Sequence, residues 1–218
     1  MAGGSLTMIH VVTPDLYDEY ADVLDKMFQL RYRVFKERLD WEVQTRNGRE
    51  RDAFDDLGPI YIINIADDGR VVATWRLLPT TGPYMLKDIF PALMDGEDCP
   101  VDPDIWECSR FAVDPGDYRD NAVSINRYTS ELVIGILEYC QAARIKDVVA
   151  VYDIRIARMF PRIGAGPSWQ KTPRPFGKTV AVAGNFPIQP YMSEGVRRNS
   201  GITGNIFARE LPLPAVAA

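Results

Sequence analysis

Apolar and polar positions along this chain follow two periods, and the change from one to the other marks its elements. The run "MIHVV" (Met8 to Val12) ahead of Pro14 reads as a first strand. Leu16, Tyr20, Val23, Leu24, Met27 and Leu30 then recur at helical spacing and predict one buried face. Residues 36–58 turn polar, with "RNGRE" as a turn signal. "IYIINIA" (Ile60 to Ala66) and "VVATWRLLP" (Val71 to Pro79) are strands joined by "DDGR", an Asp-Gly hairpin turn. "YMLKDIFPAL" predicts a short helix, and "IWECSRFAV" (Ile105 to Val113) a strand closed by Pro115-Gly116. Asn121 to Ala143 predicts a long helix with Ile125, Tyr128, Leu132, Ile136 and Cys140 on one face. "DVVAVY" is apolar on both faces, as a central strand requires. "IRIARMFPRIG" reads as a helix with Pro161 in its last turn, and "TVAVAG" as a strand; the tail beyond it has no clear assignment. The order β-α-loop-β-β-α-β-α-β-α-β predicts a single α/β domain, a mixed sheet with helices on both faces.

Composition narrows the function classes. At 218 residues the chain fits one domain with a sizeable core. A net charge of -5 gives no support to bulk nucleic-acid binding. No apolar run is long enough for a membrane span. The N-terminus lacks a signal-peptide pattern, and Cys99, Cys108 and Cys140 have no metal-type spacing, so a cytoplasmic location with reduced thiols is expected. Residues 1–7, "MAGGSLT", are expected to be a disordered expression remnant before a natural start at Met8, with the domain covering 8–218. His10 is the single histidine, and it lies in the first strand. No metal site is expected, and any proton transfer falls to carboxylates, backbone amides or the ligand itself. No G-x-G-x-x-G or Walker pattern follows a strand.

Candidate chemistry starts at Arg76, a charge in the middle of an apolar strand that needs a carboxylate partner or a ligand. The next strand offers Glu107 and Arg110, which a regular strand places on opposite faces. A bulge near Cys108–Ser109 brings them to one side and frees backbone N–H groups. Asp52, Asp55 and Arg31 add further charges. On spacing alone, a buried ion-pair network that ties a loop to the sheet explains these six residues as well as a binding site does. Phe35 and Trp41 are, on the same footing, more readily core residues than ligand contacts.

Taken in order, these positions resemble the LuxI-type acyl-homoserine-lactone synthases, the quorum-sensing autoinducer synthases. The resemblance is carried by Arg31, Phe35, Trp41, Asp52 and Asp55 at matching intervals, and by "WRLLPTTGPYMLKDIFP" with Arg76. It continues in "WECSRFAV" with Glu107, Ser109 and Arg110, and in "VVAVYDIRIARMFPRIG", and it spans Met8 to about Gly184. It implies a GNAT-like fold, a V-shaped mixed sheet whose strands Ile105–Val113 and Asp147–Tyr152 splay apart around an acyl thioester. It further implies S-adenosylmethionine as co-substrate with no bound cofactor, and an acyl donor that is acyl carrier protein or acyl-CoA. The products are then N-acyl-homoserine lactone and methylthioadenosine. Glu107, Ser109 and Arg110 become the catalytic set, with Glu107 as the base. Arg31, Phe35, Trp41, Asp52, Asp55 and Arg76 become the adenosylmethionine site, and Tyr152, Met159 and Leu78 the acyl pocket. A monomer or weak homodimer is expected, with no nucleic-acid or membrane partner.

The chain departs from the family pattern at Tyr152, Ala157, Pro161 and Ala165, where relatives often carry Thr, Glu, Arg and Trp. An unsubstituted, branched or otherwise unusual acyl group is therefore expected over a 3-oxo one. Arg155, Arg158, Arg162, Lys171, Arg174 and Lys178 form a basic run suited to an acidic carrier protein or to coenzyme A phosphates. Two other functions remain open, a GNAT enzyme for another amine and a non-catalytic binding module. The usual pyrophosphate loop of the former is missing from "DPGDYRDNAV".

Overall fold

The computed structural model describes residues 7–114 and 127–212. Most of the expected strands form where alternation placed them. β1 (Thr7–Val12), β4 (Ile60–Ala66), β5 (Val71–Pro79), β6 (Ile105–Val113), β7 (Asp147–Asp153) and β10 (Thr179–Pro187) carry one mixed sheet. Short strands β8 (Trp169–Gln170) and β9 (Arg174–Phe176) pair with β10. The strand order is β1-β4-β5-β6-β7-β10-β8. Among the described strands only β6 and β7 pair in parallel, and neighbouring strand pairs elsewhere are antiparallel. The "RNGRE" turn is a small separate hairpin of β2 (Thr45–Arg46) and β3 (Arg49–Glu50).

Alternation sorts each strand between two faces. On one face Ile62, Trp75, Leu77 and Cys108 meet α3 (Arg127–Ala142) in the main core. The expected start of this helix at Asn121, with Ile125, lies outside the described residues. Its burial goes beyond the single predicted face, because α6 (Pro190–Ser200) packs on its outer side and Arg197 clasps Glu138 at 2.7 Å. Close approach to the sheet needs Gly135, where a Cβ would stand 3.1 Å from Ile9. α6 was unassigned in the sequence, although Pro190 at its start, Gly201 at its end and two basic residues in its last turn are the usual helix signals. Beyond it, Phe207 bridges to Ile9 and covers the outer edge of β1.

The opposite face holds two apolar clusters. α1 (Ala21–Arg31) packs Leu24, Met27 and Leu30 on Tyr61 and Ile63. The expected helix began at Leu16, which instead lies in a 3-10 turn, Pro14–Leu16. α1 then widens into a π-helix, Tyr32–Arg38, that buries Val34 and Phe35. α2 (Met85–Asp88) and the 3-10 turn Pro91–Met94 cover Leu78, Val149, Ala181 and Ala183. The expected helix over "IRIARMFPRIG" is broken at Arg158 into α4 (Ile154–Ala157) and α5 (Met159–Ile163). Asp153 caps α4 by accepting the Arg155 N–H at 2.8 Å.

Candidate active site

β6 and β7 pair from Ile105/Asp147 to Cys108/Ala150 and then part. The V-shaped opening thus begins at Ser109 and Val151. On the other side of β6 the register against β5 slips, with Thr74 opposite Ala112 but Arg76 opposite Ser109. The extra residue is a bulge around Arg110, whose φ is 59°. The expected bulge is present, one or two positions later than Cys108–Ser109. It lets Arg110 reach the same face as Glu107, and both meet Met85.

Between the two apolar clusters of that face lies a closed ring of alternating charges. Arg31 bonds Glu50 at 2.6 Å and Asp55 at 2.8 Å. Asp55 bonds Arg76 at 2.9 Å, and Arg76 bonds Asp52 at 2.6 Å. Asp52 bonds Arg110 at 2.5 Å, and Arg110 returns to Glu50 at 3.0 Å. Local chain geometry supports the carboxylates. Asp52 accepts the Phe54 N–H while Asp55 accepts the Asp52 N–H, a reciprocal cap on the 3-10 turn Ala53–Leu57. Ser109 Oγ accepts from Arg76 Nε at 3.1 Å, and Tyr61 donates to Asp55 at 2.8 Å.

Burial and pairing compete in this ring. Burial opposes ionisation of Arg31, but Asp55 and Glu50 outweigh it and hold the guanidinium charged. Burial likewise opposes ionisation of Asp55, yet Arg31 and Arg76 hold its carboxyl below the usual range. Arg110 is shifted down, because burial outweighs Glu50 and Asp52. The ring opens outward only at one edge, where the Arg110 and Asp52 side chains are 14% and 10% exposed. Sequence reasoning missed Glu50. It sits in a polar turn, and only the hairpin β2–β3 carries it into the interior.

Glu107 stands apart from this ring. It is fully buried and accepts the backbone N–H groups of Met85 at 2.9 Å and Leu86 at 2.6 Å. Burial raises its pKa against the pull of those two donors and of Arg76 and Arg110. Met85 Sδ lies 3.2 Å from Arg76 Nη2 and 3.3 Å from Arg110 Nη1. A thioether is a weak acceptor, so both guanidinium groups aim a donor at one weakly bonding place, while Arg76 Nη2 also reaches Asp52 Oδ2 at 3.3 Å. Phe35 and Trp41 stack on each other, centroids 5.4 Å apart and planes 1° from parallel. Phe35 is buried and faces Arg110, while Trp41 is half-buried at the rim.

The other face of the cleft holds an apolar cavity. Trp75, Cys108, Leu137, Val148, Phe160 and Phe186 are among the side chains lining it. The three expected pocket residues are not. Tyr152 stands behind Phe160 and Phe186, and Met159 is half-buried beside the same core. Leu78 is on the opposite face with Tyr84 and Leu86, because it is one residue out of phase with Leu77. The basic run is largely neutralised by Arg155–Asp153, Lys171–Glu97, Arg174–Asp95 and Lys178–Asp40 pairs. Arg158 and Arg162 remain exposed.

A mixed sheet split between two parallel strands, with a bulge beside the split, is the frame of GNAT-type N-acyltransferases. FeeM, an N-acyl amino acid synthase from uncultured soil microbes, shares the fold at 11% identity and a TM-score of 0.57, covering 91% of this chain and 98% of its own. The match to one family is much closer. The autoinducer synthase model matches residues 15–196, and the chain belongs to that family of acyltransferases. An acyl-homoserine-lactone synthase from Agrobacterium fabrum is 36% identical over 180 residues, 82% of this chain and 85% of the relative. The structure of BjaI, a CoA-dependent acyl-homoserine lactone synthase with SAM and isopentyl-CoA, superposes with a TM-score of 0.81 at 30% identity, covering 94% of each chain. No helix among the described residues is long and apolar enough to cross a membrane.

Proposed function

We propose that this chain transfers a short acyl group from acyl-CoA to the amine of S-adenosylmethionine. It then closes the product to N-acyl-homoserine lactone and releases methylthioadenosine. One observation carries this reading: the split between β6 and β7 has the charged ring on one side and the apolar cavity on the other. An amino-acid cation and an acyl thioester, held on those two sides, meet at Ser109–Arg110.

The methionyl carboxylate fits between Arg76 and Arg110, where it displaces the weakly accepting Met85 sulfur from two guanidinium donors. Arg31 takes a supporting role, since its donors are spent on Glu50 and Asp55 behind that place. The substrate amine must be neutral to attack, and an α-amino group titrates near ~8. Glu107 is the buried carboxylate beside it, and it removes the proton directly or through water. Backbone N–H groups at the Arg110 bulge stabilise the thioester oxyanion. Attack forms the amide C–N bond and breaks the C–S bond, releasing the CoA thiol. The carboxylate then attacks its own γ-carbon and expels a neutral thioether from the sulfonium. That leaving group needs no acid, only a folded substrate held in place. Stacked Phe35 and Trp41 form the aromatic wall next to the sulfonium.

Acyl-CoA is favoured as donor over acyl carrier protein. The solved relative BjaI is CoA-dependent by description. The test is incubation with adenosylmethionine and a panel of acyl-CoA and acyl-carrier thioesters, with detection of methylthioadenosine and lactone. Absence of both products from every thioester overturns the function. Turnover with the carrier alone overturns the donor.

A further inference from the structure

The apolar cavity is small, about 30 Å3, and ends on aromatic rings. Phe160 of α5 and Phe186 of β10 both line it, their centroids 4.8 Å apart. Tyr152 of β7 backs them at 5.4 Å from Phe160 and 5.8 Å from Phe186. The tyrosine ring lies over Gly184, where a Cβ would come within 2.5 Å of its hydroxyl oxygen. That hydroxyl is 3.2 Å from Gln170 Oε1, to which it donates, and the contact pins the outer edge of the ring. The two phenylalanines therefore have a fixed, packed backing and little room to retreat.

Depth follows from register. Ala150 pairs with Cys108 at the mouth of the cleft. Phe186 pairs with Val148, two residues further in, roughly 7 Å at the rise of a strand. The lining is apolar apart from the Cys108 thiol and the Trp75 indole, so a keto oxygen carried into it has little to bond.

We infer that Phe160 and Phe186, buttressed by Tyr152 over Gly184, set the acyl-chain length, and that they restrict the donor to short unsubstituted or branched acyl groups. This rests on the acyl-transfer reading above and names the substrate class of the same site.

The experiment compares the intact protein with Phe186→Ala, Phe186→Leu and Phe160→Leu. The two leucine variants run beside the alanine one because it removes a whole buried ring. Butyryl- to dodecanoyl-CoA, straight and methyl-branched, are each offered with adenosylmethionine, and lactones are identified by mass spectrometry. Thermal stabilisation by each acyl-CoA is measured in parallel. The unaltered protein is expected to prefer the short members. The variants are expected to raise the octanoyl-to-butyryl kcat/KM ratio at least ten-fold, with the same shift in stabilisation. An unchanged length profile in every folded variant overturns the inference, as does a dominant long-chain or 3-oxo product from the unaltered protein. If no thioester gives lactone but the stabilisation profile still shifts, the wall stands and the acyl-transfer reading fails.

Discussion

Glu50→Ala tests whether the charged ring is a structural unit. Glu50 is fully buried and is one of the links between Arg31 and Arg110. Its removal leaves three arginines facing two carboxylates, with Arg31 held by Asp55 alone and Arg110 by Asp52 alone. Breaking a buried pair by removing one partner costs about 3–5 kcal/mol, because the charge left behind stays desolvated. For a domain of this size that lowers Tm by about 6–20 °C. Asp56→Ala is the control, since the Arg51–Asp56 pair is exposed at 56% and 68%. That pair is worth about 0–1 kcal/mol. Urea unfolding of both variants at neutral pH gives the comparison. A Glu50→Ala loss no greater than the Asp56→Ala loss refutes the idea that the ring acts as one desolvated unit.

Glu107→Gln keeps an acceptor for one of the two N–H groups at Met85 and Leu86 but points an N–H2 at the other. It is expected to abolish most turnover while calorimetry still detects adenosylmethionine binding; near-normal turnover rejects Glu107 as the base. Because burial raises the Glu107 pKa, the acidic limb of kcat/KM in the unaltered protein should fall above pH 4.5, the ordinary value for this side chain. Trp41→Ala removes the ring stacked on Phe35 and should weaken adenosylmethionine binding about 5- to 30-fold, the equivalent of about 1–2 kcal/mol of cation–π contact. An unchanged calorimetric Kd removes Trp41 from the site. Asp153 would be raised by burial, but bonds from Arg155 and Thr179 bring its pKa down to about 2 from 3.8. A depressed carboxylate stabilises the fold above its unfolded pKa and loses that contribution as pH falls through the folded one. Asp153→Asn should therefore flatten the stability loss between pH 3.8 and about 2, and an unaltered slope there contradicts the assignment.

Strand periodicity and turn chemistry were enough to place the central strands of the main sheet, though not their order. Ile60–Ala66, Val71–Pro79 and Ile105–Val113 have the bounds that alternation and the Asp-Gly turn give them, since a two-residue period is a local property. Arg76 in an apolar strand, and Glu107 three residues from Arg110, pointed to a buried charged cluster for the same reason, without separating an ion-pair network from a binding site. The rest depended on contacts between distant residues. Glu50 looks like a solvated hairpin residue until β2–β3 folds it against Arg31, nineteen positions away. Leu78 falls on the face away from the cavity because a strand's two faces cannot be told apart until helices choose them, while Tyr152 shares the cavity's face but stands behind Phe160 and Phe186. Phe160 and Phe186 form a wall only after α5 docks beside β10, across a separation no periodicity encodes. The six basic residues read as one patch in the sequence, but Lys171, Arg174 and Lys178 find the distant carboxylates of Glu97, Asp95 and Asp40, and Arg155 pairs with Asp153 just before it, since charge along a chain adds up differently from charge in space. Which residues carry charge or bulk was written in the chain; which of them face one another was decided by the packing of helices on the sheet.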